Sequence, residues 1–225
     1  MATRWTDSVE VRAARHAVLA EPLRLAMLDA LTTTDRSPGE LCAQFGINSN
    51  LLAHHVRVLV DAGLLERIES HADRRRTYLR LVHHPDPIDR HPLRAAVLFL
   101  CTRNSARSQL AAALWQQRTG GRAASAGTDP AIAVHEGALA AARRAGLELA
   151  GARPRRIGRI AGSTQVITVC DRAHEDLGGR NDWLHWSIAD PVAAGTPQAF
   201  DEVVAELDHR IRRLAGDDRS RGPHT

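Results

Sequence analysis

The chain has 225 residues, 44% of them hydrophobic and only 4% aromatic, with a formal net charge of +4. That length suggests one large domain or two small ones, and the apolar share excludes wholesale disorder. No basic start precedes an apolar run, and no apolar stretch approaches the ~18 residues of a membrane span, so neither a secretion signal nor a membrane partner is expected. Three widely spaced cysteines, Cys42, Cys101 and Cys170, make a poor disulfide framework. They fit a reducing cytoplasm, where a single thiol can be catalytic.

Residues 1–92 hold twelve Arg and twelve Asp or Glu, against eighteen and fourteen in 93–225. A nucleic-acid role for the first part must therefore rest on local placement of charge. Pro22 stands where a first helical turn tolerates proline, and Leu23, Leu25, Ala26, Leu28 and Leu31 follow at helical spacing. Ser37, with Glu40 three residues on, has capping-box spacing and opens a short helix through Phe45. Gly46 turns the chain, Asn48 can cap the next helix, and 49–62 carries Leu52, His55, Val56 and Leu59 on one face until Gly63 stops it. Two helices joined by a glycine turn are a helix-turn-helix signature, whose second helix enters the major groove. Runs 64–68 and 77–81 alternate as paired strands do, and the tip between them carries Arg74, Arg75 and Arg76, a wing suited to phosphate or minor-groove contact.

The run Leu51-Leu52-Ala53-His54-His55-Val56-Arg57-Val58-Leu59, followed by Asp61-Ala62-Gly63-Leu64, resembles the recognition helix and its exit in the ArsR-type winged-helix repressors. The likeness covers about residues 10–82. It implies a homodimer on double-stranded DNA with Ser49, Asn50, Ala53, His54 and Arg57 facing the duplex and Arg74–Arg76 on the wing. Adjacent helical residues point about 100° apart, so His54 and His55 are not read as a metal pair, and His55 is read as packed. Arsenic-sensing members of that family carry Glu-Leu-Cys-x-Cys. Here the run is Glu40-Leu41-Cys42-Ala43-Gln44, with one thiol where a soft ion wants two or three. No metal site is expected.

His83-His84-Pro85-Asp86-Pro87 through His91-Pro92 reads as a linker. Val97-Leu98-Phe99-Leu100 is then a buried-type strand running into Cys101-Thr102-Arg103-Asn104-Ser105-Ala106-Arg107-Ser108, with a helix over 109–119. Strand, tight loop and helix N-terminus make a cradle of N–H groups for a phosphate-like anion, and the same field is expected to favour a thiolate on Cys101. Arg107 supplies a fork of donors for a tetrahedral oxyanion, Ser108 can hold the thiolate, and Asn104 can brace the loop. The backbone of Thr102, Arg103, Asn104, Ser105, Ala106, Arg107 and Ser108 would bind the oxygens. Asp190, before Pro191, is the candidate acid for a leaving oxygen.

The Cys101 loop together with Asp190-Pro191 resembles the low-molecular-weight tyrosine phosphatase superfamily, which includes one class of arsenate reductases. Ser125-Ala126-Gly127-Thr128, Val134-His135-Glu136-Gly137-Ala138 and Val166-Ile167-Thr168-Val169-Cys170-Asp171 add to the likeness, which spans about 94–215. Val192 stands where phosphotyrosine enzymes of this type place Tyr, and Gln109 where they place Pro; both lean toward a small inorganic oxyanion. Trp183 and Trp186 are candidates for a pocket wall. Thioredoxin-coupled relatives use two further cysteines; Cys170 matches the first, Leu177 occupies the second position, and Ala106 stands where the loop holds another. The resemblance thus implies no bound cofactor and an external thiol, mycothiol or glutathione with a redoxin, if arsenate is reduced. Three readings stay open: a regulator fused to an arsenate reductase, a regulator fused to a phosphatase, and a repressor whose second domain only senses an oxyanion or redox state. The expected layout is an α+β winged helix-turn-helix domain over 1–84, a linker 85–93, an α/β domain with a central parallel sheet over 94–216, and a flexible tail 217–225.

Overall fold

The computed structural model describes residues 3–82, 96–180 and 182–216; the expected linker and tail lie outside the described residues. The chain divides into two compact units, Met1–Asp89 and Arg90–Thr225.

The first unit contains α1 (Thr3–Leu19), α2 (Pro22–Ala30), α3 (Pro38–Phe45), α4 (Ser49–Asp61), β1 (Leu65–Glu69) and β2 (Thr77–Leu81). Each helix after α1 starts on a side-chain cap. Glu21 accepts from the Arg24 N–H, Ser37 and Glu40 form a reciprocal capping box, and Asn48 accepts from the Leu51 N–H. Gly46, at φ 65°, ends α3 in the left-handed conformation that makes the turn tight. The inner faces of α2, α3 and α4 close on Met27, Leu28, Leu41, Leu52, Val56 and Leu59, all nearly or fully buried. β1 and β2 pair antiparallel from Leu65↔Leu81 to Glu69↔Thr77, and Arg36 adds a bridge to Leu79. Helix α1 has no counterpart in the sequence reading. It is mostly exposed along the part whose side chains are described, including Val9 and Val11, so no buried stripe advertises it.

The second unit runs β3 (Ala96–Cys101), α5 (Arg107–Thr119), β4 (Arg122–Gly127), α6 (Glu136–Arg144), β5 (Thr164–Thr168), α7 (Asp171–Asp176), β6 (Leu184–His185), α8 (Pro191–Ala194) and α9 (Pro197–Ala215). Its sheet is wholly parallel in the order β4-β3-β5-β6. Alternation along β3 sends Val97, Phe99 and Cys101 to one face, under α5, α6 and α9. Leu98 and Leu100 go to the other, with Val166 and Trp183. Because β4 and β5 flank β3 on opposite sides, the carboxyl end of β3 lies where the strand order reverses, the place at which open parallel sheets leave a crevice. Cys101 is the last residue of that strand.

Candidate active site and DNA-facing helix

The loop after β3 is shaped by bonds that hold its carbonyls outward. Cys101, Thr102, Arg103 and Ser105 accept from the N–H groups of Thr128, Asp129, Ala131 and His135 in turn. A segment following β4 is thereby fastened along the back of the loop. Gly127 permits the approach: a Cβ there would stand 2.5 Å from the Thr102 carbonyl oxygen. Ala106 precedes α5 without any side-chain cap bond, so the helix N-terminus adds its own N–H groups to the cradle. The helix starts at Arg107, two residues earlier than its sequence pattern indicates, and this places Arg107 and Ser108 inside its first turn.

Asn104 is the only non-glycine described residue with positive φ, at 48°, a conformation asparagine tolerates. Its Oδ1 accepts from the Arg155 backbone N–H at 2.8 Å, which fixes the amide orientation, and its Nδ2 donates to Ser108 Oγ at 2.8 Å. With one lone pair so used, the Ser108 hydroxyl is free to donate to Cys101 Sγ, 3.0 Å away, and the Asn104 N–H donates to the same sulfur at 3.1 Å. Gln109 braces the other side: Nε2 reaches the Asn104 carbonyl at 3.0 Å, Asn104 Oδ1 at 3.2 Å and the Arg153 carbonyl at 3.3 Å.

Arg107, buried, joins the loop to the segment bearing the candidate acid. Its Nη1 donates to the Ile188 carbonyl at 2.9 Å and its Nη2 to Asp190 Oδ2 at 3.0 Å, while Asp190 Oδ1 accepts from the Val192 N–H. Cys101, Asn104, Ser108, Arg107 and Asp190 are thus brought together, with 102–106 forming the loop. The expected thiolate bias requires correction. Burial pushes the Cys101 thiol up, and the neighbouring Cys170 adds to this; the Ser108 hydroxyl and Arg107 pull the other way without prevailing. The guanidinium that would stabilise the sulfur is itself engaged by a carboxylate.

Trp183 and Trp186 are not pocket walls. Trp186 is 1% exposed in the core, 5.9 Å centroid to centroid from Phe99, and Trp183 is buried on the opposite face of the sheet. Their apolar surface is consumed by packing.

In the first unit, Ser49, Asn50, Ala53, His54 and Arg57 all lie exposed on α4, opposite its buried face. His55 is buried, with Nδ1 3.7 Å from Glu21 Oε2, and its ring stands edge-on to that of His54. Arg74, Arg75 and Arg76 are exposed at the strand tip, but Arg75 is held in a two-point pair by Asp73, at 3.0 and 3.1 Å. Among the described residues no group of three or more His, Cys, Asp or Glu is placed to hold a metal, and no helix is long and apolar enough to cross a membrane.

Residues 96–220, more than half of the chain, match the family model for low molecular weight phosphotyrosine protein phosphatase. The chain belongs to this family. A helix-turn-helix domain model matches residues 19–68 ahead of it, so this is a low-molecular-weight phosphatase family member fused to a helix-turn-helix unit. Solved structures similar to the phosphatase-family domain include a thioredoxin-dependent arsenate reductase of Corynebacterium glutamicum, 27% identical with a TM-score of 0.46. That match covers 56% of this chain and 62% of the other, so the chain spans less than two thirds of that reductase. A tyrosine phosphatase of Erwinia amylovora is 18% identical with a TM-score of 0.50, over 59% of this chain and 98% of that one. An arginine phosphatase from Geobacillus stearothermophilus is 26% identical with a TM-score of 0.47, over 58% and 99%. No curated protein matches.

Two features of the phosphatase-family domain escape a sequence reading. The bonds of Gln109 to Asn104 and Arg153 appear only in three dimensions. A buried polar cluster backs the acid-bearing segment. Thr168 Oγ1 contacts Nδ1 of His185 at 2.9 Å and of His174 at 3.2 Å; His185 Nε2 is 3.1 Å from Asp171 Oδ1, and Ser187 donates to Asp171 Oδ2. Cys170 caps α7 and lies 3.2 Å from Thr102 Oγ1. No local pattern signals that cluster, because its members come from β5, α7, β6 and the segment after β6.

Proposed function

We propose that this protein is a DNA-binding regulator fused to a thiol-dependent arsenate reductase. The observation that carries the enzymatic half is the convergence at Cys101: a sulfur at the carboxyl end of β3, bonded by the Ser108 hydroxyl and the Asn104 N–H, beside the Arg107–Asp190 pair. Arsenate would lie on the N–H groups of 102–108 with Arg107 turned onto its oxygens. Cys101 gives up its proton to an arsenate oxygen, its Sγ attacks arsenic in line, and the As–O bond opposite breaks. Asp190, once freed from Arg107 and protonated, hands its proton to the departing oxygen, which leaves as water. An external thiolate then attacks Cys101 Sγ. The S–As bond breaks, its electron pair reduces As(V) to As(III), and a mixed disulfide is left on Cys101 for a second thiol to release. Val192 in place of an aromatic wall, and Gln109 bracing the loop, support a small inorganic substrate.

The regulatory half rests on the exposed row Ser49, Asn50, Ala53, His54 and Arg57 of α4, with Arg74 and Arg76 at the strand tip. Pairing of two copies through the first unit rests on the resemblance to the winged-helix repressors. A second reading, hydrolysis of a phosphoester through a phosphocysteine, uses the same residues and is supported by the incomplete relay, with Leu177 and Ala106 where the thioredoxin-coupled relatives place cysteines.

The test is arsenite production from arsenate by the full-length protein, with mycothiol and its redoxin or glutathione and glutaredoxin, beside Cys101→Ser. Cys101-dependent turnover supports the reductase and names its donor. Cys101-dependent hydrolysis of an aryl phosphate without arsenite moves the assignment to a phosphatase. Inactivity in both leaves a sensor.

A further inference from the structure

The outer rim of the oxyanion loop carries more positive charge than an inorganic anion in the loop can use. Arg103, within the loop, is half exposed and pairs through Nη1 with Asp129 Oδ2. Arg156 Nη2 lies 3.9 Å from Asp129 Oδ1, and its Nη1 donates to the Thr128 carbonyl at 2.7 Å. Two exposed guanidiniums therefore converge on one exposed carboxylate. Arg153, Arg155 and Arg159 are also exposed, and among the described residues their side chains have no ion-pair partner.

The chain carrying them is bolted to the loop. The Arg155 N–H donates to Asn104 Oδ1, the Arg153 carbonyl accepts from Gln109, and the Arg155 carbonyl accepts from the Gly127 N–H. The backbone that carries Arg153 and Arg155 is thus fixed to the loop. Beside them, Ile132 is fully exposed, one residue beyond the Ala131 N–H that bonds the Arg103 carbonyl.

Arsenate or phosphate seated on the loop N–H groups and Arg107 reaches none of this. A reactant extending out of the loop does. We propose that the Arg103–Asp129–Arg156 rim is a carboxylate subsite, and that the reactant meeting Cys101 there is an acidic peptide. Asp129 already demonstrates the chemistry, since a carboxylate is what the two guanidiniums hold. Planar guanidinium forks match carboxylates two-point, and the surplus cations raise the local concentration of an acidic partner. Ile132 offers the peptide an aliphatic contact. This rests on the Cys101-centred reading and is indifferent to its branch. In the reductase the peptide is an acidic thiol; in the phosphatase it is a phosphopeptide with acidic neighbours.

The experiment titrates full-length Cys101→Ser protein with four probes. One pair is a phosphopeptide flanked by Glu and its Gln-flanked counterpart. The other is S-methylated γ-Glu-Cys-Gly and its dimethyl ester. At least one acidic probe should bind about three- to tenfold tighter than its neutral counterpart, and 0.5 M salt should erase the difference. Arg156→Gln, and Arg103→Gln separately, should remove most of that preference. Preference in the first pair alone assigns the subsite to an ester substrate, and in the second alone to the thiol. Equal binding within both pairs, no binding of any probe, or a preference surviving both variants overturns the proposal. Arsenite and phosphate release by wild-type protein against Cys101→Ser judges the Cys101 reading separately.

Discussion

The guanidinium of Arg107 is clasped by Asp190, Nη2 to Oδ2 at 3.0 Å, across 83 residues of sequence. The cation that would clamp an oxyanion and the acid that would protonate its leaving oxygen hold each other. An anion in the loop would compete with Asp190 for Arg107, and the freed carboxylate would have to take up a proton before passing one on. If Asp190 is that acid, Asp190→Asn should lower Cys101-dependent turnover by about 10²-fold or more. The loss should be smaller for an aryl phosphate with a good leaving group than for phenyl phosphate. Equal losses with both esters would remove the acid role.

The Cys101 thiol is pushed above its ordinary value by burial, with Cys170 adding and Ser108 and Arg107 opposing. Its alkylation by iodoacetamide should therefore rise with pH only above the ordinary thiol range of about 8.5, and Ser108→Ala should move the rise higher still. The sign for stability follows from proton binding. Above the ordinary value the unfolded chain loses a proton that the folded chain keeps, so stability is full below it and declines as pH climbs toward the raised value. Urea unfolding of wild-type and Cys101→Ser protein between pH 8 and 10.5 should show wild type losing ground.

Gln109 spans three acceptors with one amide nitrogen. Gln109→Ala should destabilise the phosphatase-family domain by about 1–2 kcal/mol and lower kcat by loosening Asn104. Gln109→Pro should cost little more, because the third residue of a helix has no N–H obligation within it. Thermal unfolding of both variants checks this, and a much larger loss for Pro would mean that the N–H is needed by the loop itself.

Gly127→Ala should abolish loop function, since the added carbon would stand 2.5 Å from the Thr102 carbonyl oxygen, backbone that cannot swing aside. Gly137→Ala meets Phe200 Cε2 at 2.4 Å instead. It should cost about 1–3 kcal/mol with less effect on turnover. Comparison of activity with melting temperature separates the two.

On the DNA side, Arg57→Ala should weaken specific binding by about 1–3 kcal/mol if it meets a base edge, or reduce the salt dependence uniformly if it meets phosphate. Arg74→Ala should lower the salt slope more than Arg75→Ala, because Arg75 is already paired with Asp73. Fluorescence anisotropy over a salt series measures both; equal slopes would place the wing away from the duplex.

Much of the fold is legible because its signals are local. The Ser37–Glu40 capping box, the glycine at 46 and the alternation along 77–81 each report on residues a few positions apart, where the backbone's own bonding decides the outcome. The exposed helix α1 is illegible for the converse reason, as no buried stripe marks it. The two tryptophans stand as candidates for a pocket wall in the sequence because a large aromatic serves a core and a pocket equally well there. Only its packing beside Phe99 on the same face of the sheet assigns Trp186 to the core.

By itself, the sequence determined a helix-turn-helix followed by a strand, an oxyanion loop and a helix, and it placed Cys101 and Arg107 at a spacing a single loop turn sets. What only the tertiary structure decided was everything that depends on chains meeting. Arg107 meets Asp190, Gln109 reaches Arg153, and the segment after β4 ties the loop's carbonyls outward. It also sets burial and Cys170, far away along the chain, against the local pull of Ser108 and Arg107, and pushes the Cys101 thiol up. Local sequence specifies bond partners within a turn of helix or strand; burial and long-range charge exist only once the sheet has closed.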